Sequence, residues 1–163
     1  MEPFVSANWL ELHRNDVAVA DVRWYLDGRL GHESYVTGHI PGAVFVDLEV
    51  WLAGAPTPQS GRHPLPSPEQ FAKGMSELGI GDSTSVVAYD DAGGVIAARL
   101  VWMLRVTGHD AAVLDGGIAA FKGELMSGAI ESEPASFTVR AWPEERFASI
   151  DETANGEWVV VDA

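Results

Sequence analysis

Short apolar runs alternate with amphipathic stretches along this chain, and the alternation predicts its elements. Val17 to Val22 is apolar, contains β-branched residues and is closed by the charges of Asp21 and Arg23. It is too short for a buried helix, so it predicts a buried strand. Val44 to Val46, Val86 to Tyr89 and Ala111 to Leu114 repeat that signal. Helical spacing fills the intervals. Ser6 can cap a first helix whose stripe of Trp9, Leu10 and Leu12 runs to His13, and Asn15 and Asp16 end it. Ser67-Pro-Glu-Gln70 is an N-cap, a proline at N1 and a glutamine at N3, with Gly79 beyond, so a helix spans roughly 68 to 78. Val95 to Thr107 reads as a helix stopped at Gly108, and Gly116-Gly117 turn the chain into a short helix around Ile118 to Lys122.

Three segments fall outside this rhythm. Gly38-His-Ile-Pro-Gly-Ala43 is a turn, since Pro41 presets φ and Gly42 tolerates the positive φ of a type II turn. Leu52 to Pro68 carries five of the nine prolines and predicts a long surface loop. Glu124 to Ser136 is a polar arm interrupted by Gly and Pro. Strands separated by helices, and apolar enough to be buried on both faces, predict an α/β fold. Its central sheet is mostly parallel and flanked by helices on both faces. Ligands of such sheets gather at the carboxyl ends of the strands. Trp158-Val-Val-Val-Asp-Ala163 is a further strand-like run that echoes Val17 to Val22, which leads us to expect the first strand of a second copy.

Composition then narrows the function classes. At 163 residues and 47% hydrophobic, the chain suits a single core. Ten Lys and Arg face 24 Asp and Glu, a formal charge of -14, which repels nucleic acid and anionic membrane surfaces. There is no basic segment leading into an apolar stretch at the N-terminus, and no apolar run of the ~18 residues a span needs. A soluble, cytoplasmic protein is the expectation. Cysteine is absent, which removes disulfides, thiolate metal sites and any mechanism that stores a group on sulfur.

The candidate site is the loop Asp90-Asp-Ala-Gly-Gly94 between a buried strand and a helix, because free N–H groups at a helix N-terminus cradle anions. Asp90 and Asp91 place their own carboxylates there, so a self-capped loop is the favoured reading over a carboxylate nucleophile. A nucleophile of that kind needs a Mg²⁺ site, for which no second acidic partner stands at convincing spacing. His13, His32, His39, His63 and His109 are scattered without metal-ligand spacing, and neither a metal nor a cofactor is implied. His39 reads as a partner of local backbone. His63 stands out because its loop is long, although a plain surface histidine is the blander reading. Trp24, Trp51 and Trp102 lack the basic groove of a stacking platform and read as packing residues. Arg99 and Arg105 fit ion pairing or snorkelling as well as substrate binding, and Asp21 with Arg23 reads as a structural ion pair at the functional edge of the sheet.

Taken in order, Val5-Ser-Ala-Asn-Trp9-Leu, Asp21-Val-Arg-Trp24, Gly38-His-Ile-Pro-Gly-Ala43, His63-Pro-Leu-Pro66, Tyr89-Asp90 with Ala98-Arg99 and Trp102, Gly108-His109 and Leu114-Asp-Gly-Gly117 resemble the rhodanese-like sulfurtransferases. The likeness is to the N-terminal half of tandem-domain thiosulfate or 3-mercaptopyruvate enzymes. It implies persulfide chemistry at a Cys whose position is Asp90 here, with catalysis assigned to a second domain that keeps the Cys. Residues 1–142 would then be the non-catalytic domain, and 143–163 a linker plus the first strand of that second domain. The resemblance further implies that His63 and its acidic partner Glu49 line the interdomain cleft, near Asp90 and Asp91. The implied partners are the second domain, a small-molecule sulfur donor and a thiophilic acceptor such as cyanide or a thiol. Homodimerisation through the exposed interdomain face would be the substitute in its absence. The loop from Asp90 to Arg99 departs from typical members in being shorter. A stand-alone Cys-less binding or regulatory module is the alternative.

Overall fold

The computed structural model describes residues 1–154 and 159–160. Five parallel strands form one sheet in the order β1-β5-β4-β2-β3, with β1 at Phe4–Val5, β2 at Val17–Asp21, β3 at Val44–Phe45, β4 at Ser85–Tyr89 and β5 at Ala111–Leu114. The two-residue alternation of side chains sorts the central strands between two cores. Ala18, Ala20, Val86, Ala88, Ala111 and Val113 face one cluster with Phe71, Met75, Leu100 and Leu104. Val19, Val87, Tyr89, Ala112 and Leu114 face the other, with Leu10, Ile40 and Phe121. Both faces of the sheet are therefore covered, as the apolar runs require.

The helices are α1 (Ala7–His13), α2 (Gly31–Thr37), α3 (Pro68–Glu77), α4 (Ala97–Val106), α5 (Gly117–Ala120) and α6 (Ile150–Ala154), with a 3₁₀ turn at Glu144–Arg146. Ser6 and Ser67 cap α1 and α3 by accepting from Trp9 N and Gln70 N at 3.2 and 3.1 Å. Five elements escape the sequence pattern: β1, α2, α6, the 3₁₀ turn, and a single π-helical turn at Leu48–Leu52. The last lies just before the segment read as loop. Asp47 caps it, accepting from Glu49 N at 2.9 Å and Val50 N at 3.2 Å. The Gln70 amide does not fold back on Ser67. It donates instead to the carbonyls of Val50 and Ala53 at 2.6 and 2.9 Å, groups that a helix end leaves unpaired, and so ties α3 to the π turn.

The turn at residues 38–43 closes through Ala43 N to Ile40 O at 2.9 Å, with Gly42 at a φ of 82°. The polar arm continues as a strap across the domain. Phe137 stacks on buried His109 with centroids 4.4 Å apart, Asp82 accepts from Thr138 N and Oγ1, and Trp142 Nε1 donates to Pro66 O. Most of the expected strand at 158–163 lies outside the described residues. Val159 and Val160, which are described, are exposed and belong to no strand.

Candidate functional site

At the carboxyl end of β4 the chain turns into α4, whose N-cap residue Ile96 makes no side-chain cap bond. Asp90 supplies the missing acceptor. Its carboxylate is fully buried; Oδ1 accepts from Ala92 N at 2.9 Å and Gly94 N at 2.8 Å, and Oδ2 from Ile96 N at 2.8 Å and Ala97 N at 2.9 Å. Four inward-pointing N–H groups at a helix N-terminus form an anion cradle, and here a side chain of the same loop fills it. The base of the loop is clamped by Gly117, at a φ of 57°. A Cβ there would come within 2.2 Å of the Asp90 carbonyl oxygen, which also accepts from Ile118 N at 3.0 Å.

Asp91 is exposed, and its Oδ2 accepts from the Tyr25 hydroxyl at 2.7 Å. Burial, the largest cause, and then the bond to Asp91 and its charge push the Tyr25 phenol upward, so it remains the donor. The Arg29 guanidinium lies 3.7 Å from the centroid of the Tyr25 ring, and Asp91, Tyr25, Arg29 and Arg23 share a cavity of about 610 Å³. Glu49 and His63 line a different cavity, of about 540 Å³, together with Arg62, Gln70 and the 53–56 stretch. Asp90 lines neither of the two. The four residues expected at the cleft are thus one close pair, one exposed acid in a neighbouring cavity, and one buried cap.

In the pair, Glu49 Oε1 stands 4.0 Å from His63 Nε2, beyond hydrogen-bond length, so their interaction is Coulombic. The same oxygen accepts from Trp24 Nε1 at 3.1 Å, and the Trp24 and His63 rings meet edge to face at 5.0 Å. Burial above all, then the charges of Arg99 and Arg62, hold the imidazole below its ordinary value, while Glu49 pulls upward. His63 is therefore neutral at pH 7, with its Nε2 turned toward a carboxylate.

The loop carrying His63 is fastened from α4. Arg99 is half-buried and donates through Nε to Leu52 O at 2.8 Å, and through Nη2 to His63 O at 3.0 Å and Pro64 O at 3.1 Å. Neither reading given to Arg99 from sequence anticipated these carbonyl contacts. Arg99→Met should release residues 53–66, and limited trypsin cleavage after Arg62 should quicken about tenfold, the factor for ~1.4 kcal/mol of local opening. An unchanged cleavage rate would show that the prolines alone hold the loop.

The remaining candidates are structural. His39 is fully buried, its Nδ1 3.0 Å from Tyr35 O and its ring stacked on Tyr35. Arg23, also buried, bonds Asp21 through Nε at 3.0 Å and Nη2 at 2.6 Å. Trp24 and Trp51 pack against the core, whereas Trp102 remains 37% exposed, edge-on to Phe147. Sequence reasoning missed Trp24 and Tyr25 as hydrogen-bonding partners of Glu49 and Asp91. The one available signal was their position, directly after the strand ending Asp21-Val-Arg23. Among the described residues no group of three or more His, Cys, Asp or Glu is placed to hold a metal, and no helix is long and apolar enough to cross a membrane.

A parallel α/β domain with an anion cradle after its central strand defines a small set of families. The model of the rhodanese-like domain matches residues 6–124, and the chain belongs to that family. It is similar to thiosulfate/3-mercaptopyruvate sulfurtransferase 2 of Arabidopsis thaliana, with 45% identity over 74% of this chain and 36% of that protein. It is also 36% identical to the 3-mercaptopyruvate sulfurtransferase of Escherichia coli, over 86% of this chain and 52% of the relative. The crystal structure of SseA, an Escherichia coli 3-mercaptopyruvate sulfotransferase, superposes with a TM-score of 0.79 at 33% identity, covering 94% of this chain and 60% of that one. The chain spans between about a third and a half of the length of these curated relatives.

Proposed function

We propose that this chain is the non-catalytic N-terminal rhodanese domain of a thiosulfate or 3-mercaptopyruvate sulfurtransferase whose persulfide-forming cysteine is carried by a second domain. The observation that carries the proposal is the Asp90 carboxylate seated on four N–H groups, where a catalytic rhodanese loop would present sulfur. An occupied cradle has no donors left for an incoming anion, and a carboxylate cannot store sulfane sulfur. The names of the relatives, and the share of their length that this chain spans, support a larger enzyme around it.

In that enzyme the thiolate of the second domain attacks the outer sulfur of the donor. The S–S bond of thiosulfate breaks, sulfite leaves, and a persulfide remains. Cyanide then takes the outer sulfur as thiocyanate and frees the thiolate. This domain contributes the cleft wall. Glu49 and His63 present a carboxylate and a neutral imidazole that polarise and orient groups beside the partner's sulfur. A second domain carrying the cysteine is the partner proposed for this face.

A thiosulfate-to-cyanide assay on the chain alone should give no thiocyanate above a heat-killed control, and turnover there would overturn the proposal. Reading the coding region beyond the codon for Ala163 is the complementary test. A following domain with a cysteine loop supports the enzyme, and a closed frame turns the reading to a binding module.

A further inference from the structure

Glu49 poses a positional problem. Its side chain is 66% exposed, and an exposed carboxylate 4.0 Å from an imidazole would ordinarily sample several rotamers and contribute little to holding it. One contact restrains it. Trp24 Nε1 donates to Oε1, the oxygen that faces His63 Nε2, while the Trp24 ring abuts the imidazole edge to face. No other hydrogen bond to the Glu49 carboxylate is found among the described residues. We propose that Trp24 is the positioning residue of the Glu49–His63 pair, its indole N–H fixing the carboxylate so that the imidazole keeps one orientation and one tautomer. The inference rests on the reading of this pair as part of the sulfur-transfer cleft.

The choice of donor matters. An arginine in this place would neutralise the negative charge that Glu49 offers His63. The indole has one N–H, no acceptor and no titration in the working range, so it orients the carboxylate without quenching it and does so at every pH. Trp24 is itself well held. It follows the buried Asp21–Arg23 pair by one residue and packs on the core cluster beside the sheet. The charged groups that face His63 are Glu49 from the π turn, Arg62 from its own loop and Arg99 from α4. Both arginines drive the imidazole toward neutrality, and Glu49 opposes them. A carboxylate facing Nε2 favours the tautomer protonated there, which leaves the Nδ1 lone pair as the acceptor.

The test is the imidazole ¹⁵N and ¹H spectrum of His63 in the intact chain, followed through a pH titration. In the wild type, His63 should be the Nε2–H tautomer. Trp24→Phe keeps a ring and removes the donor. It should lower the His63 midpoint most of the way to that of Glu49→Gln and mix the tautomers, with the His13 resonances on α1 unmoved as a check of the fold. The double variant should fall no further than Glu49→Gln alone, because one path carries both effects. If Trp24→Phe leaves midpoint and tautomer at wild-type values while Glu49→Gln shifts them, the inference is overturned and the pair stands. If Glu49→Gln also leaves His63 unmoved, the pair itself fails, and the reading of the cleft with it. Should Trp24→Phe not fold, the Trp24 Nε1–H resonance serves instead. It should move upfield in Glu49→Gln, and an unmoved signal would equally overturn the inference.

Discussion

Asp90→Ala should lose about 3–5 kcal/mol of stability, the largest effect expected of a single substitution at the candidate site. Two of the four N–H groups it would strand, those of Gly94 and Ala97, are buried, and the other two are partly so. A hydrogen bond to a charged acceptor contributes roughly 1.5–3 kcal/mol, and a buried donor left unpaired costs about 1–3 kcal/mol. These terms overlap, since water entering the emptied space can reach the partly exposed donors. Asp90→Asn should fall between alanine and the wild type. Its oxygen can accept on one side, but its NH₂ group then confronts N–H donors on the other. Urea unfolding of the three proteins gives the ordering, and a loss below ~1 kcal/mol for alanine would mean that the loop satisfies its donors some other way.

A similar loss is expected on the other side of the sheet's carboxyl edge. Asp21 is fully buried and accepts from Arg23 N at 3.1 Å, from the Arg23 guanidinium, and from the Tyr89 hydroxyl at 2.8 Å. Burial, followed by the Asp21 charge, drives the Tyr89 phenol strongly upward, so it stays a donor here while accepting from Ile40 N at 3.1 Å. The carboxylate thus joins β2, β4 and the turn at 38–43. Burial disfavours the Arg23 charge, but the bonds and charge of Asp21 outweigh it and hold the guanidinium proton more tightly than usual. Asp21→Ala leaves that charge buried with Gly38 O, at 2.7 Å, as its one remaining partner among the described residues, an arrangement that typically costs about 3–5 kcal/mol. Asp21→Ala with Arg23→Met removes both charges and should recover a large part of the loss. If the double variant is no more stable than the single one, the guanidinium was not the source of the penalty.

Why some of this was legible in the sequence, and some not, has a physical answer. The strands around Val19, Val87 and Ala112 announced themselves because a sheet covered on both faces needs uninterrupted apolar runs. Asp90 was readable as a cap because it stands where a strand meets a helix, and a carboxylate there has few other uses. Glu49 and His63 came from the family resemblance; fourteen positions apart along a proline-rich loop, they carry no spacing signal of their own. β1 has two residues, one of them 61% exposed, too little to form a pattern. α2 begins at glycine, lacks a side-chain cap, and carries Val36 and Thr37, so its propensity points away from a helix. The π turn was hidden because its cap, Asp47, sits directly after a strand and reads as the strand's polar end. Trp24 Nε1 was out of reach for another reason, since its partner is twenty-five residues away and only the fold brings them together.

The register of the outermost strand bears on how such a chain is made. Phe4 pairs with Val113 and Val5 with Leu114, while Pro3 O and Val5 O take the N–H groups of Val113 and Asp115. Within this domain the first strand in sequence, β1, thus finds its place only beside the last one described, β5. Until β5 emerges, the nascent domain has the material for β4, β2 and β3 but no place for β1, and the second core lacks Ala112 and Leu114. Vectorial synthesis therefore gives this domain no early, self-sufficient half. Closure waits on β5, which seats β1 at the edge of the sheet.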